Sequence, residues 1–243
     1  MKFSYCMPAK SPLYPLPPYY FKDNNSINIV FKTTEEALRA LLPPPLIPNP
    51  SNLGSVYVGE FNVAAPLKVT YKEAGISIPV LFEGTPANYS VYLYLDMALP
   101  IIPGREIWGF PKKDAEILFS SDGGIFKASV KREWIEIIRA SVTVSESIKP
   151  IPSQTDVPDL NLKIIPSVKK NHLPDVYQLT SAGLSSTTKE LWLGEATLSF
   201  ASSANDPLGD LPILEIVSGA QSISDMSLDC GDVLVDYLAN NQL

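Results

Sequence analysis

A pair of lysines closes the segment Pro103-Gly104-Arg105-Glu106-Ile107-Trp108-Gly109-Phe110-Pro111-Lys112-Lys113, directly after a tryptophan, a phenylalanine and a proline. Two adjacent lysines by themselves describe most solvated surfaces. Here the aromatic company means that at least one ammonium begins beside apolar surface. A lysine amine attacks a ketone only when neutral, and with an ordinary pKa of about 10.4 only about one in a few thousand is neutral at pH 7. Burial disfavours the ammonium, and a second cation nearby repels it. On an extended segment adjacent side chains point to opposite faces, which sets the two nitrogens roughly 8 Å or more apart. At an effective dielectric of about 20 that repulsion is worth roughly 2 kcal/mol, so burial is expected to be the larger influence. The segment therefore points to a lysine nucleophile, activated chiefly by desolvation.

The elements that must position it read as mainly β. Pro8, Pro12, Pro15, Pro17 and Pro18 predict an extended arm over residues 1–25, after which Ile27 to Phe31 reads as a short strand. Thr33 and Glu36 form a capping box, with Thr33 as N-cap, for a short helix that Pro43-Pro44-Pro45 stops. From Leu53 the pattern alternates, with Val56, Val58, Glu60 and Asn62 on one side and Tyr57, Gly59, Phe61 and Val63 on the other. Further strands are expected at Ile76 to Phe82, Tyr89 to Leu95, Ala115 to Phe119, Ile125 to Val130, Trp134 to Val144 and Leu160 to Ile165. Val176 to Leu179, Leu191 to Phe200 and Gly231 to Tyr237 complete the set. Glu73-Ala74-Gly75, Glu83-Gly84-Thr85-Pro86 and Asp122-Gly123-Gly124 carry turn chemistry between them. This pattern predicts one domain over residues 1–243, mainly β in an α+β sense, with antiparallel strands closed into a barrel-like or cone-shaped sheet and few short helices.

Composition excludes several function classes. The 243 residues are 45% hydrophobic and 19% charged, inside the globular range, so a sizeable core is expected. A formal net charge of -7, with no run of Lys or Arg beyond two, argues against nucleic acid or an anionic membrane as partner. No apolar run is long enough to span a bilayer or to form a signal-peptide core, so a cytoplasmic protein is the expectation. One histidine, His172, in a polar loop-like segment, leaves a histidine-rich metal site out of reach and reads as a surface residue. Cys6 and Cys230 specify neither a disulfide framework nor a metal site and are expected to be thiols.

The segment Gly104-Arg105-Glu106-Ile107-Trp108-Gly109-Phe110-Pro111-Lys112-Lys113 resembles the signature of the acetoacetate decarboxylase family, a standard example of an activated lysine. Asn28-Ile29-Val30-Phe31, Lys163-Ile164-Ile165-Pro166 and Glu215-Ile216-Val217-Ser218 extend the likeness in the same order, from about Ser11 to about Leu238. The resemblance implies that Lys112 forms an imine and that Lys113 is its electrostatic neighbour. It makes Glu73, otherwise readable as a solvent-facing turn residue, an active-site carboxylate. It places a second glutamate at Glu60, or Val58 at that position if the register slips by two, and sets Phe110 and Trp108 beside the substrate. Asn24 stands where the family has an arginine for the substrate carboxylate, and a neutral amide cannot supply that bidentate grip. Arg105 and Glu106 read as an ion pair that shapes the loop. The implied activity is decarboxylation of a small β-keto acid, with no metal or organic cofactor, by a homo-oligomer. An aldolase or dehydratase working through the same imine, or a barrel that binds small ligands without turnover, are the alternatives.

Overall fold

In the computed structural model, which describes residues 5–149 and 157–239, strand dominates. Strands β1 (Tyr19–Lys32), β2 (Ile47–Pro48), β3 (Leu53–Ala65), β4 (Val69–Phe82) and β5 (Thr85–Leu95) come first, with helix α1 (Glu35–Leu41) after β1. Helix α2 (Ala98–Pro103) then passes into a π-helical turn, Gly104–Trp108. It is followed by β6 (Lys112–Asp114), β7 (Glu116–Asp122), β8 (Ile125–Arg132), β9 (Ile135–Ile148) and β10 (Asp159–Ile165). The last elements are β11 (Val176–Phe200), β12 (Ser202–Ser203), β13 (Asp206–Pro207), β14 (Glu215–Asp229) and β15 (Val233–Asp236).

The expected closure is present as a ring of hydrogen-bonded strands in the order β10, β5, β4, β3, β1, β14, β11 and back to β10. The pairs are antiparallel except β10 with β5, which is parallel, as is the pairing of β6 with β5. Hairpin turns of the left-handed type join β4 to β5 at Glu83-Gly84 and β7 to β8 at Gly123-Gly124, where positive φ suits the strand twist. Strand β11 is 25 residues long and belongs to two layers. Its first part pairs with β10 and its middle with β14, while its end leaves the ring to pair with β9. Register shifts after Thr188 and after Leu193 mark where it bends. Strands β9, β8 and β7 then fold back until β7 lies against β3 and β4.

Between these layers sits the main core. Ile27, Ile29 and Phe31 of β1, Val58 of β3 and Ile76 of β4 pack there with Val130, Ile138 and Val142 from the second layer. Each fully buried side chain of this size contributes roughly 1.5–3 kcal/mol. The alternate residues of the same strands, including Ser26 and Asn28 of β1 and Ser77 of β4, face the inside of the ring.

Several expectations need correction. The predicted arm over 1–25 ends at Tyr19, because Tyr19 and Phe21 are buried in a second apolar cluster with Phe61, Tyr71 and Trp108 and so extend β1. Its first four residues lie outside the described ones. The N-cap of α1 is Thr34, whose Oγ1 accepts from the Ala37 N–H at 3.2 Å. Thr33 lies one residue earlier, its N–H donating to Asn52 O at 3.0 Å and its Oγ1 buried with no hydrogen-bond partner among the described residues. Glu73-Ala74-Gly75 is no turn but the middle of β4; the chain reverses before it, near Lys68, which takes a φ of 52°. Val176 to Leu179 and Leu191 to Phe200 are parts of one strand. Strand β14 was not expected at all, since Ser218, Gly219, Gln221, Ser222, Ser224 and Asp225 disguise it as loop.

Candidate active site

Lys112 opens β6 and lies in register with Leu93 of β5. Its backbone is fixed at both ends, the N–H donating to Phe110 O at 2.7 Å and the carbonyl accepting from Arg105 Nη1 at 2.9 Å. The side chain runs over Gly104, where an added Cβ would fall 2.7 Å from Lys112 Cδ, so the π-turn leaves room for the stem only because that residue is glycine. The ammonium reaches the faces of Tyr71 and Phe110, 5.8 and 5.5 Å from the ring centroids, a cation–π setting.

Glu73 approaches from β4, its Oε2 lying 2.9 Å from Lys112 Nζ, with the two side chains only 9% and 8% exposed. The contact is an ion pair by distance but not aligned as a hydrogen bond, and Oε2 has no hydrogen-bond partner among the described residues. Oε1 accepts from the Tyr57 hydroxyl at 2.6 Å. Burial, and then Glu73 itself, raise the Tyr57 and Tyr71 hydroxyls well above the ordinary phenol range, so both stay protonated donors. A buried ion pair is a poor stability device, because desolvating both charges offsets most of their attraction. Such a pair beside a cavity is better explained by chemistry.

That cavity, about 310 Å³ inside the ring, is lined by Lys112, Glu73, Tyr57, Tyr71 and Phe110 at one end. Its walls carry hydroxyls from Ser26, Ser77, Ser90, Ser186, Thr188 and Ser222. Asp159, at the start of β10, also lines it; burial pushes its carboxyl up to about 6, against an Asn88 hydrogen bond that lowers it. Lys112 is the one cationic side chain among the described residues lining the cavity.

The remaining expected site residues fall elsewhere. Lys113 points away, its ammonium donating to Asn205 O at 2.7 Å and to the fully buried Asp206 at 2.8 Å, so its charge is compensated there rather than spent on Lys112. Glu60 is half-buried and Val58 wholly buried in the main core; both lie on the face of β3 opposite Tyr57, outside the cavity. Trp108 is buried behind the lysine, donating from Nε1 to Asp229 O at 2.8 Å, and anchors the π-turn without lining the cavity. Phe110 does line it. Asn24 is fully buried, its Oδ1 accepting from the Asn62 N–H at 3.0 Å and its Nδ2 without a hydrogen-bond partner among the described residues, and it does not reach the cavity wall. Lys22, which could have replaced the missing arginine, pairs on the surface with Asp225 at 2.6 Å. Arg105 and Glu106 do not pair with each other: Arg105 holds the Lys112 carbonyl, and Glu106 accepts from the Tyr14 hydroxyl at 2.5 Å. His172 is exposed, as expected.

Tyr57 and Asp159 were missed. The alternation along β3 contained the signal for Tyr57, once pairing with β4 places Tyr57 opposite Gly75 and so on the Glu73 side. Nothing local marks Asp159, which becomes part of the site only when β10 closes the ring against β5.

Residues 6–238 match the family model described as acetoacetate decarboxylase. The chain belongs to the acetoacetate decarboxylase family. It is 33% identical to the acetoacetate decarboxylase of Ralstonia nicotianae over 246 residues, covering 98% of this chain and 97% of that one. A solved structure titled as structural studies of acetoacetate decarboxylase superposes with a TM-score of 0.83 at 28% identity, over 97% of this chain and 96% of that one. The enduracididine biosynthesis enzyme MppR, solved with the condensation product of pyruvate and imidazole 4-carboxaldehyde, shares the fold at TM-score 0.81 and 23% identity, over 96% and 97% of the two chains. The protein is thus an acetoacetate decarboxylase-like enzyme. Among the described residues no helix is long and apolar enough to cross a membrane.

Proposed function

We propose that this enzyme decarboxylates a β-keto acid through an imine on Lys112. The observation that carries the reading is an amine 2.9 Å from a carboxylate, both almost withdrawn from solvent, at the end of a cavity sized for a small substrate. Attack on a ketone needs the uncharged amine. Glu73 Oε2 is placed to take the ammonium proton, leaving a neutral amine beside a neutral carboxylic acid. The amine nitrogen then bonds to the carbonyl carbon, and a proton passes from nitrogen to the former carbonyl oxygen. Glu73 returns its proton to that hydroxyl, which departs as water and leaves a protonated imine. The bond to the substrate carboxylate breaks, carbon dioxide leaves, and the electron pair flows into the imine to give an enamine. The enamine carbon takes a proton, and water releases the ketone and the lysine ammonium. The Tyr57 hydroxyl holds Glu73 through both proton transfers, a positioning role.

Carbon dioxide release from acetoacetate tests the reading, with Lys112→Met as the control: the wild-type protein releases it and the variant does not exceed the uncatalysed rate. The aldolase or dehydratase reading is favoured by one observation, a cavity with no guanidinium for the departing carboxylate among the described residues that line it. An imine with pyruvate but no carbon dioxide from any β-keto acid would establish that second reading instead.

A further inference from the structure

The reacting pair occupies the cavity wall beside β6, and Asp159 lines the wall further along β5, within electrostatic reach of the Tyr57 hydroxyl. Lys112 is in register with Leu93 and Asp159 with Asn88, positions five residues apart on β5, about 16 Å of strand at roughly 3.3 Å per residue. Ser77 and Ser90 face each other across β4 and β5 at the Asp159 end, and both line the cavity. None of the steps at Lys112 uses these groups. The cavity, about 310 Å³, far exceeds the space for one water, roughly 10–15 Å³ on a comparable measure. A keto compound bound at Lys112 fills the far end only if it carries further atoms. An alkyl end there would add nothing to the one hydrogen bond that the buried Asp159 carboxyl takes from Asn88, and a second carboxylate would meet like charge. A hydroxyl or an ammonium would give that carboxylate a further donor.

We propose that the Asp159 end of the cavity is a specificity subsite, in which the Asp159 carboxylate accepts a hydrogen bond from a hydroxyl or ammonium group at the far end of the keto substrate. The proposal rests on the imine reading above. The carboxyl, pushed up to about 6 by burial, is an ionised acceptor above that pH and loses the charge below it. The other titratable side chains facing the cavity are Lys112, Glu73, Tyr57 and Tyr71, and the two phenols are raised too far to titrate in this window.

The test compares keto acids of equal chain length ending in methyl, hydroxymethyl and aminomethyl groups, with the wild-type protein and Asp159→Asn, at pH 7.5 and pH 5. Borohydride trapping on Lys112 and kcat/KM are both read. The wild type is expected to prefer the aminomethyl and hydroxymethyl ends over methyl by roughly 10- to 100-fold at pH 7.5, the range for a hydrogen bond to a charged group. That ratio should shrink at pH 5, and in Asp159→Asn the aminomethyl preference should be absent at both pH values. Trapping that is equally efficient across the three ends, or the same ranking in Asp159→Asn, overturns the subsite while leaving the imine standing. No adduct with any of the three acids removes the imine reading and the subsite together.

Discussion

The two faces of β4 meet opposite environments within one strand. Ala74, Ile76, Ile78 and Val80 face outward into the main core and are almost completely buried. Tyr71, Glu73 and Ser77 face inward and line the cavity. Strand β1 repeats the arrangement, with Ile27, Ile29 and Phe31 outward and Ser26 and Asn28 inward. In this ring the main apolar core lies outside the closed wall, under the second layer of β7, β8 and β9, while the interior mixes polar groups with apolar side chains such as Phe21, Phe61, Leu93 and Phe110. Stability and chemistry are therefore assigned to opposite faces of the same residues' neighbours, one position apart.

That separation can be broken by substitution. Lys112→Met keeps the stem and removes the amine, so kcat is expected to fall by roughly 10⁴-fold or more, with circular dichroism unchanged. Ile76→Ala, on the outer face, should cost about 2–5 kcal/mol in denaturant unfolding while kcat of the folded enzyme stays at the wild-type value. A large fall in kcat there would mean that the two faces are coupled. Gly104→Ala puts a methyl against the lysine stem and should lower kcat roughly 10- to 100-fold with little change in melting temperature, since displacement of a reacting group by a fraction of an ångström is enough. Tyr57→Phe removes one hydrogen bond to Glu73 and should cost roughly tenfold in kcat, with KM nearly constant.

The alternation that builds these faces is visible in the sequence, which is why the β class, the closure and most strands can be anticipated. What a polar face looks onto cannot be read locally. A polar residue alternating with Ile or Val looks the same whether it faces bulk water or an enclosed cavity, and so Glu73 passes for a turn residue and Glu60 for its partner. Strand β14 is hidden for the same reason, since Ser222 and Ser224 line the cavity and leave the strand without a strong apolar period. The segment leading to Lys112 stands out in the sequence because it carries Gly, Trp, Phe and Pro in one short run. The use of each is now visible: Gly104 clears the stem, Trp108 anchors the turn and Phe110 covers the ammonium. Lys113 was misplaced by the assumption that adjacent cations act on each other, when Asp206 draws it to the far side.

The most direct measurement is peptide mapping of the protein reduced with borohydride in the presence of acetoacetate. The mass of the reduced imine is expected on Lys112 alone, and lost in Lys112→Met. A label on Lys113 or another exposed lysine, with Lys112 unmodified, would contradict the assignment of the reacting amine to the inner face of the ring.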